Sequence, residues 1–96
     1  MKVFIQIQYY GSVRAAAGKR EEEMEASPGT SVFQLLKILA ERYGDAFRGE
    51  LINNGQLRDD IGVSLNGTLF RHEMMTRISL QDGDTLALLP LFPGGG

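Results

Sequence analysis

No cysteine occurs anywhere in the 96 residues. That absence removes disulfides, thiolate metal sites, iron–sulfur clusters and cysteine nucleophiles together. Any sulfur chemistry must therefore run without a side-chain thiol. Histidine is nearly absent as well. His72 stands alone, without a carboxylate or thiol set beside it to complete a metal site, so it reads as a loop residue with no catalytic role. No apolar run approaches the roughly 20 residues that a bilayer span needs. The first residues also lack the basic start and long apolar stretch of a signal peptide, so the expectation is a cytoplasmic protein with no membrane partner. Nor is there an excess of one charge. The formal net charge is −2, from 10 Lys and Arg against 12 Asp and Glu, which gives no electrostatic reason to expect nucleic acid.

What remains is an ordinary globular composition, 43% hydrophobic and 23% charged, in a chain of one-domain length. Lys2 to Tyr10 alternates, with Val3, Ile5 and Ile7 on one face and Phe4, Gln6 and Gln8 on the other, the pattern of a half-buried strand closed by Gly11. Ser12 to Ala17 is a short helical or turn segment ending at Gly18. Lys19 to Ala26 then reads as an edge strand with a solvated acidic face carrying Glu21, Glu22, Glu23 and Glu25. Val32, Leu35, Leu36, Leu39, Ala40 and Tyr43 share one helical face. Ser31 with Gln34 fits a capping box, Thr30 competes as the cap, and Gly44 is a natural left-handed stop.

Asp45 to Asp60 shows no regular period; Phe47, Leu51, Ile52 and Leu57 are its anchors, and Asn53, Asn54 and Gly55 form a turn. Val63 and Leu65 enter a tight Asn66-Gly67 turn before Leu69. Arg71 to Arg77 reads as an irregular connection whose Met74 and Met75 fill gaps in the packing. Asp59-Asp60 and Asp82/Asp84 belong to turns rather than to a catalytic carboxylate pair. Thr85 to Leu89 is almost continuously apolar, as in a strand buried on both faces. The order strand, strand, helix, strand, strand predicts an α+β fold, a mixed sheet with one main helix across one face.

After that last strand come Pro90, Leu91, Phe92 and Pro93, and then Gly94, Gly95 and Gly96. Glycine lacks Cβ and enters narrow channels closed to other residues. A glycine tail with a free carboxylate can thread into another enzyme's active site, whereas the bland alternative is a frayed end. The expected division is a folded domain over residues 1–92 and a flexible tail over 93–96.

Several segments, taken in order, carry a family resemblance. They are Tyr10-Gly11-Ser12-Val13-Arg14, Gly18, Thr30-Ser31-Val32 ahead of Leu35-Leu36, Val63-Ser64-Leu65-Asn66-Gly67, Leu80-Gln81-Asp82-Gly83-Asp84, and Pro90 before the glycines. Together they resemble the MoaD/ThiS family of ubiquitin-like sulfur carriers, in particular the small subunit of molybdopterin synthase, over essentially the whole chain. The resemblance implies a β-grasp fold and a carrier that is not itself an enzyme. A partner of the MoaB/MoeB/ThiF kind spends ATP to adenylate the terminal carboxylate. A sulfur donor converts the adenylate to a thiocarboxylate, and a MoaE-like large subunit or another acceptor takes the sulfur. The carrier binds no cofactor or metal of its own.

The resemblance departs from the familiar ending in two ways. Leu91 stands where a second proline is usual, and aligning Pro90 puts Gly94 and Gly95 on the diglycine, leaving Gly96 extra. Either Gly96 is the working terminus or a protease exposes Gly95; transfer from Gly96 without trimming is the simpler course. The second departure is length, added mostly between Asp45 and Asp60. Tyr10, Leu91 and Phe92, with Tyr9 beside them, form a candidate docking surface for the activating enzyme. Arg14 matches an arginine frequent in the family and is a candidate for an acidic partner residue. Two further readings share the same tail: a carrier for thiamine or another metabolite, and a ubiquitin-like modifier joined to lysines.

Overall fold

Alternation decides where the first strand buries its side chains, and that strand organises the sheet. The structure is a computed structural model and describes residues 1–91. Strand β1 (Val3–Tyr9) turns Val3, Ile5, Ile7 and Tyr9 inward and leaves Phe4 and Gln6 exposed. A short helix α1 (Gly11–Ala17) follows and closes at Gly18, whose N–H donates to the Arg14 carbonyl at 2.9 Å. Strand β2 (Glu21–Ala26) runs back antiparallel to β1. Helix α2 (Val32–Tyr43) starts with the expected capping box, the Ser31 hydroxyl accepting from the Gln34 N–H and the Gln34 side chain accepting from the Ser31 N–H.

The segment from Asp45 to Asp60 is more regular than its sequence suggests. It holds a helix α3 (Asp45–Leu51) and a two-stranded hairpin of β3 (Ile52–Asn53) and β4 (Gln56–Leu57). Gly44 has the positive φ expected of it, +84°, but its ψ of −167° is not left-handed helical, and it leads directly into α3 rather than into a loop. Strands β5 (Ile61–Leu65) and β6 (Thr68–Leu69) form a hairpin around Asn66 and Gly67, which have φ values of +52° and +89°. After a 3₁₀ turn at His72–Met74, β7 (Thr85–Pro90) completes the sheet. Met75 is buried in the connection, whereas Met74 is exposed.

The main sheet has five strands in the order β2-β1-β7-β5-β6. β7 pairs in parallel with β1 and antiparallel with β5, so it lies at the centre of a mixed sheet. Its inward residues Leu86 and Leu88 join Ile5, Ile7, Leu35, Leu36, Leu39 and Val63 in a core with no solvent exposure. The result is the α+β, ubiquitin-like β-grasp architecture, with the short segment after β1 helical and one helix, α3, added to those expected. The expected boundary at residues 92 and 93, and the tail glycines, lie outside the described residues.

The edge strand is not uniformly solvated. Residues two apart share a face of a strand, and Met24 is core, so Glu22 also faces inward while Glu21, Glu23 and Glu25 face out. The Glu22 carboxylate accepts hydrogen bonds from the Tyr9 hydroxyl, at 2.5 Å, and from the Tyr43 hydroxyl. Lys19 and Arg42 lie 3.8 and 3.7 Å from its other oxygen. Burial by itself raises the Glu22 pKa, but the two phenols and two cations outweigh it, and the net shift is downward. Burial first, then the contact with Glu22, pushes Tyr9 upward, so its phenol remains a neutral donor. Phe47 packs edge-on against Tyr9 with ring centroids 5.8 Å apart, which fastens α3 to the same cluster.

Replacing Glu22 with alanine leaves two phenols without their acceptor and is expected to cost about 1–3 kcal/mol. A carboxylate with a lowered folded-state pKa stabilises the fold above its ordinary value, 4.5 here, and loses that contribution as pH falls through the folded-state value. Urea unfolding of wild type and Glu22→Gln should therefore show a gap at pH 7 that narrows at about pH 3; a gap that widens on acidification contradicts the assignment.

Candidate functional site

The end of β7 is where the chain leaves the sheet, and three elements meet there. Register places Leu88 beside Tyr9 of β1, Leu89 opposite Gly62 of β5, and Pro90 opposite Ile61. The Tyr10 N–H donates to the Leu88 carbonyl at 3.0 Å, and the Leu91 N–H donates to the Asp60 carbonyl at 2.8 Å. Leu91 is thus held by a backbone hydrogen bond one residue past the strand.

Two glycines flank this root. Gly11 opens α1 at φ +57°, and a Cβ there would sit 2.5 Å from Pro90 Cγ, closer than packed atoms tolerate. On the other side, a Cβ on Gly62 would lie 2.7 Å from Leu91 Cδ2 and 3.2 Å from Leu91 Cγ. Pro90 and Leu91 therefore lie against backbone that carries no side chain.

The strand carrying Gly62 is itself braced. Arg58 makes two hydrogen bonds to the Asp60 carboxylate, at 2.8 and 3.1 Å, and a third to the Gly49 carbonyl of α3 at 2.8 Å. His72 Nε2 donates to the Ile61 carbonyl at 2.7 Å. Its role is to tie the 3₁₀ turn to β5. Asp84 serves its turn as expected, accepting from the Gln81 N–H at 2.8 Å, whereas Asp82 reaches across to β1 and accepts from the Phe4 N–H at 2.8 Å.

The predicted docking residues separate. Tyr10 is 41% exposed and Leu91 39% exposed, and Leu91 lies over Gly62 together with the exposed Leu69 of β6. Tyr9 is fully buried and belongs to the Glu22 cluster. Arg14 turns to its own chain: its Nε donates to the Tyr9 carbonyl at 2.9 Å, and its guanidinium lies 5.4 Å from the Tyr10 ring centroid. That contact steadies the Tyr10 ring. Phe92, Gly94, Gly95 and Gly96 lie outside the described residues. Among the described residues, no group of three or more His, Asp or Glu is spaced to hold a metal ion, and no helix is long and apolar enough to cross a membrane.

Sequence reasoning missed Asp60 and Gly62 as parts of this site. Gly62 did leave a signal, being a glycine between Ile61 and Val63 in an apolar run, which marks a close approach of another segment.

The arrangement defines a class: a β-grasp domain whose chain end leaves a braced central strand. Comparison with known proteins is specific. The chain belongs to the ThiS family, whose model matches residues 7–95, and so to the ThiS/MoaD-like ubiquitin-like carriers and modifiers. It is 24% identical over 91 residues to small archaeal modifier protein 3 of Haloferax volcanii, covering 95% of this chain and 98% of that protein. The crystal structure of small archaeal modifier protein 1 from Haloferax volcanii shares the fold at a TM-score of 0.80 and 24% identity, covering 96% of this chain and 99% of that one. A Pyrococcus furiosus protein described as a candidate subunit 1 of molybdopterin converting factor superposes at a TM-score of 0.74 with 27% identity, over 94% of this chain and 99% of its own.

Gly18 tests the packing at Gly11, because both have positive φ but a Cβ on Gly18 meets nothing within 4 Å. Gly18→Ala should cost only the left-handed backbone penalty, about 1–2 kcal/mol. Gly11→Ala should cost at least about 1 kcal/mol more because it also overpacks against Pro90. Equal unfolding free energies in urea would show that Pro90 yields freely.

Proposed function

We propose that this protein is a sulfur carrier whose terminal glycine carboxylate, on Gly96 or on Gly95 after trimming, is activated by a partner enzyme. The observation that carries this reading is the braced root of β7, followed by glycines that the family match includes up to residue 95. A carboxylate is a poor acyl donor. Its attack on the α-phosphate of ATP, held by the partner, releases pyrophosphate and leaves an acyl adenylate. Sulfide then displaces AMP to give the thiocarboxylate; a persulfide would give an acyl disulfide that a second thiol must cleave. The carrier supplies no acid, base or metal to these steps. Its contribution is to dock and to present the tail, so that binding energy from the folded domain positions a distant reacting group.

Tyr10, Leu91 and Phe92 are the residues we assign to docking, with Arg14 holding Tyr10 in place. The route served is molybdopterin synthesis, supported by the similarity to the Pyrococcus furiosus protein; the acceptor is then a MoaE-like large subunit. A carrier for thiamine or another metabolite uses the same activation. A modifier reading is favoured by the similarity to small archaeal modifier protein 3 over 95% of the chain. In that case a lysine amine, not sulfide, takes the activated carbonyl.

Intact mass spectrometry after incubation with the activating enzyme of the same organism, ATP and sulfide tests the reading. The expected result is an ATP-dependent gain of about 16 mass units as sulfur replaces oxygen, on a chain ending at Gly96 or Gly95. No gain with an enzyme shown to be active on another carrier overturns it. Conjugates in the host that disappear when Gly95 and Gly96 are deleted would assign the modifier role.

A further inference from the structure

We infer that Gly62 is a positioning residue for the tail: the missing side chain at this point of β5 seats Leu91 against the sheet and so sets the direction in which the chain leaves. The inference rests on the carrier or modifier reading, since only a reacting tail gives its direction a consequence. Gly62 lies inside a strand, and its backbone does not require glycine, because its φ is not among the positive values. A glycine is otherwise unfavourable in a strand interior. What the site does require is space. A methyl group there would meet Leu91 Cδ2 at 2.7 Å and Leu91 Cγ at 3.2 Å, with Leu69 Cδ2 at 3.4 Å.

Leu91 has little freedom to retreat as a unit, because its N–H is fixed to the Asp60 carbonyl. Asp60 is in turn held by Arg58. A side chain at position 62 must therefore turn the Leu91 side chain away or, where turning does not clear Leu91 Cγ, strain that backbone bond at the residue from which the tail starts. Misplacement of a reacting group by about 1 Å can cost roughly 100-fold in rate.

Gly62→Ala and Leu91→Ala, singly and together, separate this role from folding and from docking. The rate of ATP-dependent adenylation by the activating enzyme is measured against carrier concentration, alongside urea unfolding. We expect Gly62→Ala to unfold near the wild-type midpoint, to keep KM within about twofold and to lower kcat at least about fivefold. In the Leu91→Ala background the same substitution should have no further effect on kcat, because the atoms it displaces are gone. Unchanged kcat for Gly62→Ala, or an equal loss in both backgrounds, overturns the inference and leaves the carrier reading standing. A KM increase with kcat unchanged assigns Gly62 to docking and also overturns it. Failure of the wild-type protein to be adenylated overturns the underlying reading instead.

Discussion

The parallel pairing of β1 with β7 is the constraint on which the rest of the molecule depends. It joins Gln6–Tyr9 to Thr85–Leu88, closing nearly the whole chain into one loop, and it puts the last strand at the centre of the sheet. Closing so long a loop carries an entropic cost that grows only slowly with length. The compensation is a core in which Ile5, Ile7, Leu86 and Leu88 have no exposed surface. Because β7 is flanked on both sides, the chain can leave the sheet only beyond its end. The N-terminal strand thereby fixes the place from which the C-terminal residues start.

The segment between Asp45 and Asp60 acquires a purpose in this setting. Phe47 fits into an aromatic group with Tyr9 and Tyr43, so α3 is fastened to the core at one end. At the other end Arg58 spans from the Gly49 carbonyl to the Asp60 carboxylate, beside the carbonyl that holds Leu91. An exposed ion pair is worth little by itself. Arg58 differs in making three hydrogen bonds at once, which ties α3 to the residue that pins the root.

How much of this was legible in the sequence follows from the range of the interactions. Helix α2 was readable because its apolar face and its Ser31–Gln34 capping box are local, and β1 and β7 because alternation and continuous apolarity differ. Helix α3 was not, since a seven-residue segment containing Gly49 has weak helical propensity and is held by Phe47 packing against residues distant in sequence. Glu22 was grouped with three other glutamates of identical chemistry. The two-residue period through Met24 and Ala26 pointed it inward, but its acceptor role depends on Tyr9 and Tyr43, which no local pattern connects. At the site, Tyr10 and Leu91 stood out as apolar residues near an end. The hydrogen bond from Arg14 to the Tyr9 carbonyl was not legible, because a backbone carbonyl as a target leaves no mark in the sequence.

Asp60 and Gly62 show a more general difficulty. Functional residues are usually sought as side chains with acid, base or metal-binding chemistry, and this chain has few of those in any useful arrangement. Asp60 holds Leu91 through its backbone carbonyl, and Gly62 accommodates Leu91 by carrying nothing. If the reacting atom is the carboxylate of the chain itself, the activating chemistry belongs to the partner, and this protein's task is geometric. A geometric task is met by backbone hydrogen bonds, close approach and rigidity, all of which are present where β7 ends. The residues to compare between carriers and modifiers of this fold are thus those that fix the exit of the chain, because both uses require the same activated terminus and differ only in what attacks it.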